Sequence, residues 1–170
     1  QALDPQSVGA LLRSIEETLA DASPRVLVLV GSKDTFCRGM AVAQLADSSD
    51  ARGATTAGAI DDYVRCLMAL RFAGRPTLAV VEGQALGGGV GLLCACDVVL
   101  AGEQASFGLP EVLFGLAPAM VLPLLMERVG RRTARVWALT GTVRNAEQAR
   151  AAGLVDEVVA SAELSTVTQR

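Results

Sequence analysis

The stretch from Pro76 to Gly91, PTLAVVEGQALGGGVG, constrains the fold more than any other part of the chain. Thr77 to Val81 are apolar or β-branched without polar alternation, as in a strand covered on both faces. Gly83 supplies a break. Gly87, Gly88 and Gly89 then stand where helix-like apolar residues begin, at Val90, Leu92, Leu93 and Cys94. The pattern is a buried strand, a turn, and a glycine run that opens a helix. Three adjacent glycines are costly in backbone entropy. They make sense where the backbone itself must come close to something, and bare N–H groups at a helix N-terminus attract negative charge. That charge is a phosphate or a developing oxyanion; tight helix packing alone is the third reading. A P-loop is excluded, because Val90 and Gly91 follow instead of Lys and Ser/Thr, and Leu92 breaks a G-x-G-x-x-G fingerprint.

Composition narrows the classes. At 170 residues and 51% hydrophobic, the chain is one domain with a sizeable core. The formal net charge of −3 shows no nucleic-acid footprint. No apolar run reaches the length of a membrane span, and no signal peptide is expected. Cys37, Cys66, Cys94 and Cys96 lie in apolar surroundings without a C-x-x-C, and there is no histidine. Reduced, buried thiols in a cytoplasmic protein fit this better than a zinc site. The lack of histidine also removes Ser-His and Cys-His triads from these residues.

The remaining segments follow an α/β order. Asp4 as N-cap and Pro5 at the first helical position open a helix carrying Val8, Leu11, Leu12, Ile15 and Leu19. Arg25 to Gly31 reads as a parallel, buried strand. Ser32 to Met40 leaves it as a loop, at a strand end where open α/β sheets bind ligands. Residues 41–59 are small, polar and glycine-bearing, which suggests a mobile loop or lid. Ile60 to Phe72 is helical, with Ile60, Val64, Leu67, Met68 and Phe72 on the inner face and Tyr63 elsewhere. Asp97 to Ala101 is a third strand and Ala105 to Gly108 a short extended piece. Helices follow over Met120 to Val129 and Arg132 to Leu139. Asn145 caps another, with Gln148 as its partner, and Leu154 to Val159 is a last strand.

Two glycine-bearing turns, Phe36 to Met40 and Ala85 to Gly89, are each placed to offer one backbone N–H. Two such donors suit a thioester carbonyl becoming an enolate. An acid/base group must accompany them. Glu111, after Pro110 and flanked by Leu109, Val112, Leu113 and Phe114, is the best candidate, since apolar surroundings raise a carboxylate's pKa. A first-turn glutamate complementing a helix dipole is the simpler reading of the same residue. Glu82 is a second candidate. Asp61 and Asp62 read as first-turn helix acids. Phe107, Leu109, Phe114 and Met120 fit an acyl pocket or, more simply, the core.

Taken together, these residues resemble the crotonase (enoyl-CoA hydratase/isomerase) superfamily. The matching pieces are Asp34 to Met40, Pro76 to Gly91 with Asp97 beyond, Ser106 to Glu111, Gly130 to Ala134, and Ala149 to Val159. The resemblance implies an α/β fold of repeated ββα units in a spiral, in homotrimers or hexamers. It implies an oxyanion hole from the N–H groups of Met40 and Gly88, with Glu111 catalytic. It places Phe36, Arg38, Leu86, Gly87, Pro110 and Phe114 around the substrate. It implies no cofactor; CoA or phosphopantetheine is the substrate's carrier, so the partners are acyl-CoA or an acyl carrier protein, not nucleic acid or membrane. The family's other catalytic glutamate falls at Gly91, where this chain has none. Residues 1–170 correspond to the family's core domain, without its N-terminal strand and C-terminal trimerisation helices.

A narrower likeness, in FGLPEVLFGLAPAMVLPLLMERVGRR and GGGVG, is to the polyketide β-branching dehydratases. Those convert a 3-hydroxy-3-methylglutaryl group on a carrier protein to 3-methylglutaconyl. Their decarboxylase sisters use a lysine and a histidine, whereas this chain has only Lys33 and no histidine. The expected activity is therefore a dehydratase-like lyase. A one-glutamate enoyl-CoA isomerase and a non-catalytic binding subunit are the alternatives.

Overall fold

The computed structural model describes residues 2–40 and 50–164, with side chains of 50–56 excepted. Its elements in order are α1 (Pro5–Ala20), β1 (Leu27–Val30), β2 (Thr35–Cys37), α2 (Asp50–Arg71), β3 (Thr77–Val81), β4 (Gln84–Leu86), α3 (Gly88–Ala95), β5 (Val98–Gly102) and β6 (Ser106–Gly108). A 3-10 helix (Pro110–Phe114), α4 (Leu122–Val129), α5 (Arg131–Thr140), β7 (Arg144–Asn145), α6 (Ala146–Ala152) and β8 (Glu157–Val159) complete the chain.

The strands alternate between two sheets. One has the order β1-β3-β5-β8 and is parallel throughout; the other has the order β2-β4-β6-β7. Within the second sheet β2, β4 and β6 are parallel and β7 is antiparallel. Each ββ pair thus gives one strand to each sheet before the chain crosses back, which produces the spiral of ββα units expected above. The short connections inside each pair demand close backbone approach. A Cβ on Gly83 would lie 2.1 Å from the carbonyl carbon of Asp34, so glycine is required there.

Local signals explain the helix ends. Asp4 accepts from Ser7 N at 2.7 Å while Ser7 Oγ accepts from Asp4 N at 2.9 Å, a reciprocal box that starts α1. Asn145 and Gln148 make the equivalent box at α6, and Gly153 ends that helix at φ +88°. The main core lies between the sheets and the inner faces of α1 to α6, with Tyr63, Phe107 and Trp137 among its largest members. All four cysteines are free and buried. Burial pushes the thiols of Cys94 and Cys96 up to about 12, so they are inert packing groups at neutral pH.

Several expectations need correction. The first strand is parallel but lies at a sheet edge, where Val28 and Val30 are exposed; β-branched apolar residues do not reveal whether a neighbour covers them. Residues 35–37 and 84–86 are strands, not parts of loops or turns, because two or three residues are too few to show a period. Residues 41–49 of the expected lid lie outside the described residues, while 50–59 are helical, part of α2. The inner face of α2 also differs from the expected one. Ala59, Tyr63, Cys66, Leu67 and Leu70 are buried, whereas Met68 and Phe72 are exposed. Both sets fit helical spacing, and only the packing of α2 on α1 and α3 separates them.

Candidate active site

Three short strands of the second sheet aim their carboxyl ends at one place. Beyond β2 come Arg38, Gly39 and Met40; beyond β4, Gly87 and Gly88; beyond β6, Pro110 and Glu111. All of these residues line a cavity of about 190 Å³, closed on its far side by Ile60, Tyr63 and the segment Leu116 to Val121.

The first two turns are in contact. Gly39 has φ +76°, and a Cβ there would lie 2.9 Å from Gly88 N and 3.0 Å from Leu86 O. Met40 bridges Leu3 in parallel fashion, and Leu3 N donates to Gly39 O at 2.8 Å, which fixes this turn to the start of α1. A Cβ on Gly89 would lie 2.4 Å from Cys37 O, so α3 packs directly on the end of β2. The glycine run therefore serves close approach at several points at once. Gly88 is the first residue of α3, and its N–H has no intrahelical acceptor.

Glu111 sits over this backbone. A Cβ on Gly87 would come 2.7 Å from Glu111 Oε1, and Gly87 has φ +52°. Both facts demand glycine at 87. Glu111 Oε2 is buried and has no hydrogen-bond partner. Burial raises the carboxyl pKa above its ordinary value, opposed only by a weaker backbone hydrogen bond. The dipole-complement reading loses ground here. The helix in which Glu111 is the second residue is a 3-10 turn of only five residues, which carries little dipole for a carboxylate to complement. A buried carboxylate oxygen without a partner, in the same cavity as the Met40 and Gly88 backbone, suits proton removal next to a carbonyl.

The other expected site residues divide. Arg38, Gly87 and Pro110 line the cavity. Phe36 does not; it borders a separate cavity with Leu3, Leu11 and Leu92, because its side chain turns to the β1 side and packs on Gly31. Leu86 points to Gly108 and Val143, the opposite side of β4. Phe114 lies on the outer side of the 3-10 turn and is 60% exposed. Phe107 and Leu109 are fully buried core residues, and Met120 lines the cavity. Glu82 and Asp61 are not part of it. Tyr63 is the residue that sequence reasoning misses. Its signal is present as the i+4 neighbour of Ala59 and the i−4 neighbour of Leu67, on the face that proves buried. Among the described residues no group of acidic, cysteine or histidine side chains is arranged to hold a metal.

Comparison with known proteins agrees with this geometry. Residues 1–169 match the family model described as enoyl-CoA hydratase/isomerase. The chain is 35% identical to a putative enoyl-CoA hydratase of Thermus thermophilus over 162 residues, covering 92% of this chain and 62% of the relative. It is 33% identical to the bacillaene synthase dehydratase PksH of Bacillus subtilis over 139 residues, covering 82% of this chain and 53% of that protein. The crystal structure of an enoyl-CoA hydratase/isomerase family protein from Silicibacter pomeroyi superposes with a TM-score of 0.89 at 28% identity, over 99% of this chain and 74% of the other. The chain thus spans about three fifths of the length of the first of these relatives. With two sheets of alternating strands, glycine turns meeting at one cavity, and a family match over nearly its whole length, the chain belongs to the enoyl-CoA hydratase/isomerase family.

Proposed function

We propose that the protein containing this chain dehydrates a 3-hydroxyacyl thioester to the enoyl thioester. The observation that carries the reading is Glu111, whose buried Oε2 has no partner in a cavity shared with Met40 and Gly88. The thioester oxygen is received between the N–H groups of Met40 and Gly88. Glu111 takes the α-proton, and the negative charge moves onto the thioester oxygen, where fixed backbone donors hold it without reorganising. The enolate electrons then re-form the carbonyl and make the α,β double bond as the β-hydroxyl leaves. Protonated Glu111 returns its proton to the departing oxygen, giving water. One carboxylate serves both steps in a syn elimination.

Gly91 supports a one-carboxylate scheme. A Cβ at that position would lie 2.2 Å from the Tyr63 hydroxyl and 3.1 Å from Val121 Cγ2, so the space beside the cavity is already filled. The likeness to a protein named as a bacillaene synthase dehydratase supports a dehydration, and the resemblance of residues 107–132 to the polyketide β-branching dehydratases points to a 3-hydroxy-3-methylglutaryl group on an acyl carrier protein as substrate. A homotrimer or hexamer is the assembly proposed with it. Mass spectrometry of a carrier protein loaded with that group tests the reading. Loss of one water in the presence of wild type, and not of Glu111→Gln, is the expected result. Turnover of a 3-enoyl thioester without dehydration would assign an isomerase instead, and no thioester binding by calorimetry would assign a non-catalytic role.

A further inference from the structure

Tyr63 is completely buried and lines the inner wall of the cavity. Its hydroxyl donates to Gly88 O at 2.6 Å, joining the middle of α2 to the first turn of α3. The space it uses is created by two glycines: a Cβ on Gly88 would lie 3.3 Å from the phenol, and one on Gly91 only 2.2 Å from the hydroxyl. Gly87, Gly88 and Gly89 carry no side chains whose packing would resist rotation of the peptides between them. Three bonds from outside the ladder of α3 act on these peptides. Gly87 N donates to Gly108 O at 2.9 Å, Gly91 N donates to Gly87 O at 3.3 Å, and Tyr63 holds Gly88 O.

We propose that Tyr63 is a positioning residue: its hydroxyl holds the Gly88–Gly89 peptide at Gly88 O while Gly91 N–H holds the Gly87–Gly88 peptide at Gly87 O, so that Gly88 is fixed on both sides and its N–H is already oriented when charge develops on the substrate's carbonyl oxygen. This rests on the oxyanion reading of Met40 and Gly88. The physical reason is preorganisation: a donor acts at full strength only if it need not turn toward the charge as the charge appears. The hydroxyl keeps its proton for this task, because burial, with the nearby Cys37, Cys94 and Glu111, holds it well above the usual phenol range.

The test uses Tyr63→Phe, which keeps the ring and removes the one bond. Removing a whole oxyanion donor costs about 100- to 1000-fold in kcat, so loosening one costs less, about tenfold, with KM changed by no more than about twofold. A second readout is the ionisation of bound acetoacetyl-CoA, a 3-ketoacyl thioester that forms a strongly absorbing enolate but has no β-hydroxyl to lose. Wild type should ionise it at lower pH than it ionises in water, and Tyr63→Phe should move the bound midpoint up by about one pH unit, the equivalent of tenfold. A general loss of packing would lower thermal stability without moving that midpoint in the folded protein.

Identical midpoints in wild type and variant overturn the proposal while leaving the oxyanion reading intact. A wild type that leaves the probe's ionisation unchanged overturns both. If Tyr63→Phe does not fold, the single tyrosine among these 170 residues allows 3-fluorotyrosine to label this position alone. Its 19F resonance should then shift as bound acetoacetyl-CoA ionises, and a resonance that stays fixed through the titration overturns the proposal.

Discussion

Two carboxylate-bearing edges of this molecule solve opposite problems. At the amino ends of β3 and β5, Asp97 is exposed to water and engaged with the backbone through one of its oxygens. Its Oδ2 accepts from Thr77 N at 2.8 Å and Thr77 Oγ1 at 2.9 Å, while its own N–H donates to Thr77 Oγ1 at 2.9 Å. Nearby Asp156 receives Val99 N at 2.7 Å and pairs with Arg128, whose guanidinium also caps Leu154 O and Cys96 O. At the carboxyl ends of β2, β4 and β6, Glu111 is more enclosed and one of its oxygens has nothing to accept from. A carboxylate that served only the fold would be expected at the wet edge with its bonds made, as Asp97 and Asp156 are. The energetic penalty is tolerated where a substrate is to be acted upon.

The largest effect that would break this contrast comes from Glu111→Gln. Positioned acid–base groups contribute about 100- to 10,000-fold, so kcat for dehydration should fall by at least about 100-fold. The same change should not lower stability. Because folding raises the Glu111 pKa, the folded state holds the proton more tightly than the unfolded state. Stability from this group is therefore highest below the unfolded value and declines as pH rises through the raised folded value. Denaturant midpoints of Glu111→Gln should equal or exceed wild type at neutral pH, with the gap closing near about pH 4. In wild type, the rate should rise with pH through the same raised value, since the base must be ionised to act. A midpoint well below wild type at neutral pH would mean that Glu111 is a structural residue like Asp97.

Gly87→Ala sharpens the comparison next. It forces a side chain into a left-handed backbone and against Glu111 Oε1. Strain of about 1–3 kcal/mol is expected, seen as a lower melting temperature, together with a fall in kcat because the carboxylate must shift. Asp97→Ala is the mirror experiment. It leaves Thr77 N–H and hydroxyl without their acceptor and should cost about 1–2 kcal/mol in chemical denaturation, with kcat/KM of the folded protein unchanged within about twofold. The smallest effect belongs to Asn145→Ala, the N-cap of α6, at about 1 kcal/mol with no change in activity. A loss of activity in either of the last two variants beyond their loss of folded protein would show that the two edges are coupled.

The parts of the fold legible in the sequence are those with a local cause. Asp4 with Pro5, Asn145 with Gln148, and Gly153 announce helix ends because their bonds span three or four residues. The run Thr77 to Val81 announces a strand covered on both faces because it lacks any polar alternation, and it is a central strand. Glu111 is legible as a carboxylate in an apolar sequence context, and Gly91 as a position without a side chain. Short β2 and β4, the exposure of β1 and the placement of Phe36 and Leu86 are not, since each depends on what lies opposite in space. The inner face of α2 shows the same limit most clearly. Ile60–Val64–Met68 and Ala59–Tyr63–Leu70 are equally apolar stripes, so periodicity alone has no means to choose between them.

By itself, then, the sequence determined the covered strand at Thr77 to Val81 and the helix opened by the glycine run, the helix boundaries with self-contained caps, and the candidate carboxylate. Tertiary structure alone decided what the glycines are for. Gly39 makes room for the Gly88 amide, Gly87 for Glu111, Gly89 for the end of β2, and Gly91 for the Tyr63 hydroxyl. A glycine records only that a side chain is missing; the atom that takes its place comes from residues distant along the chain, and no local pattern can name it.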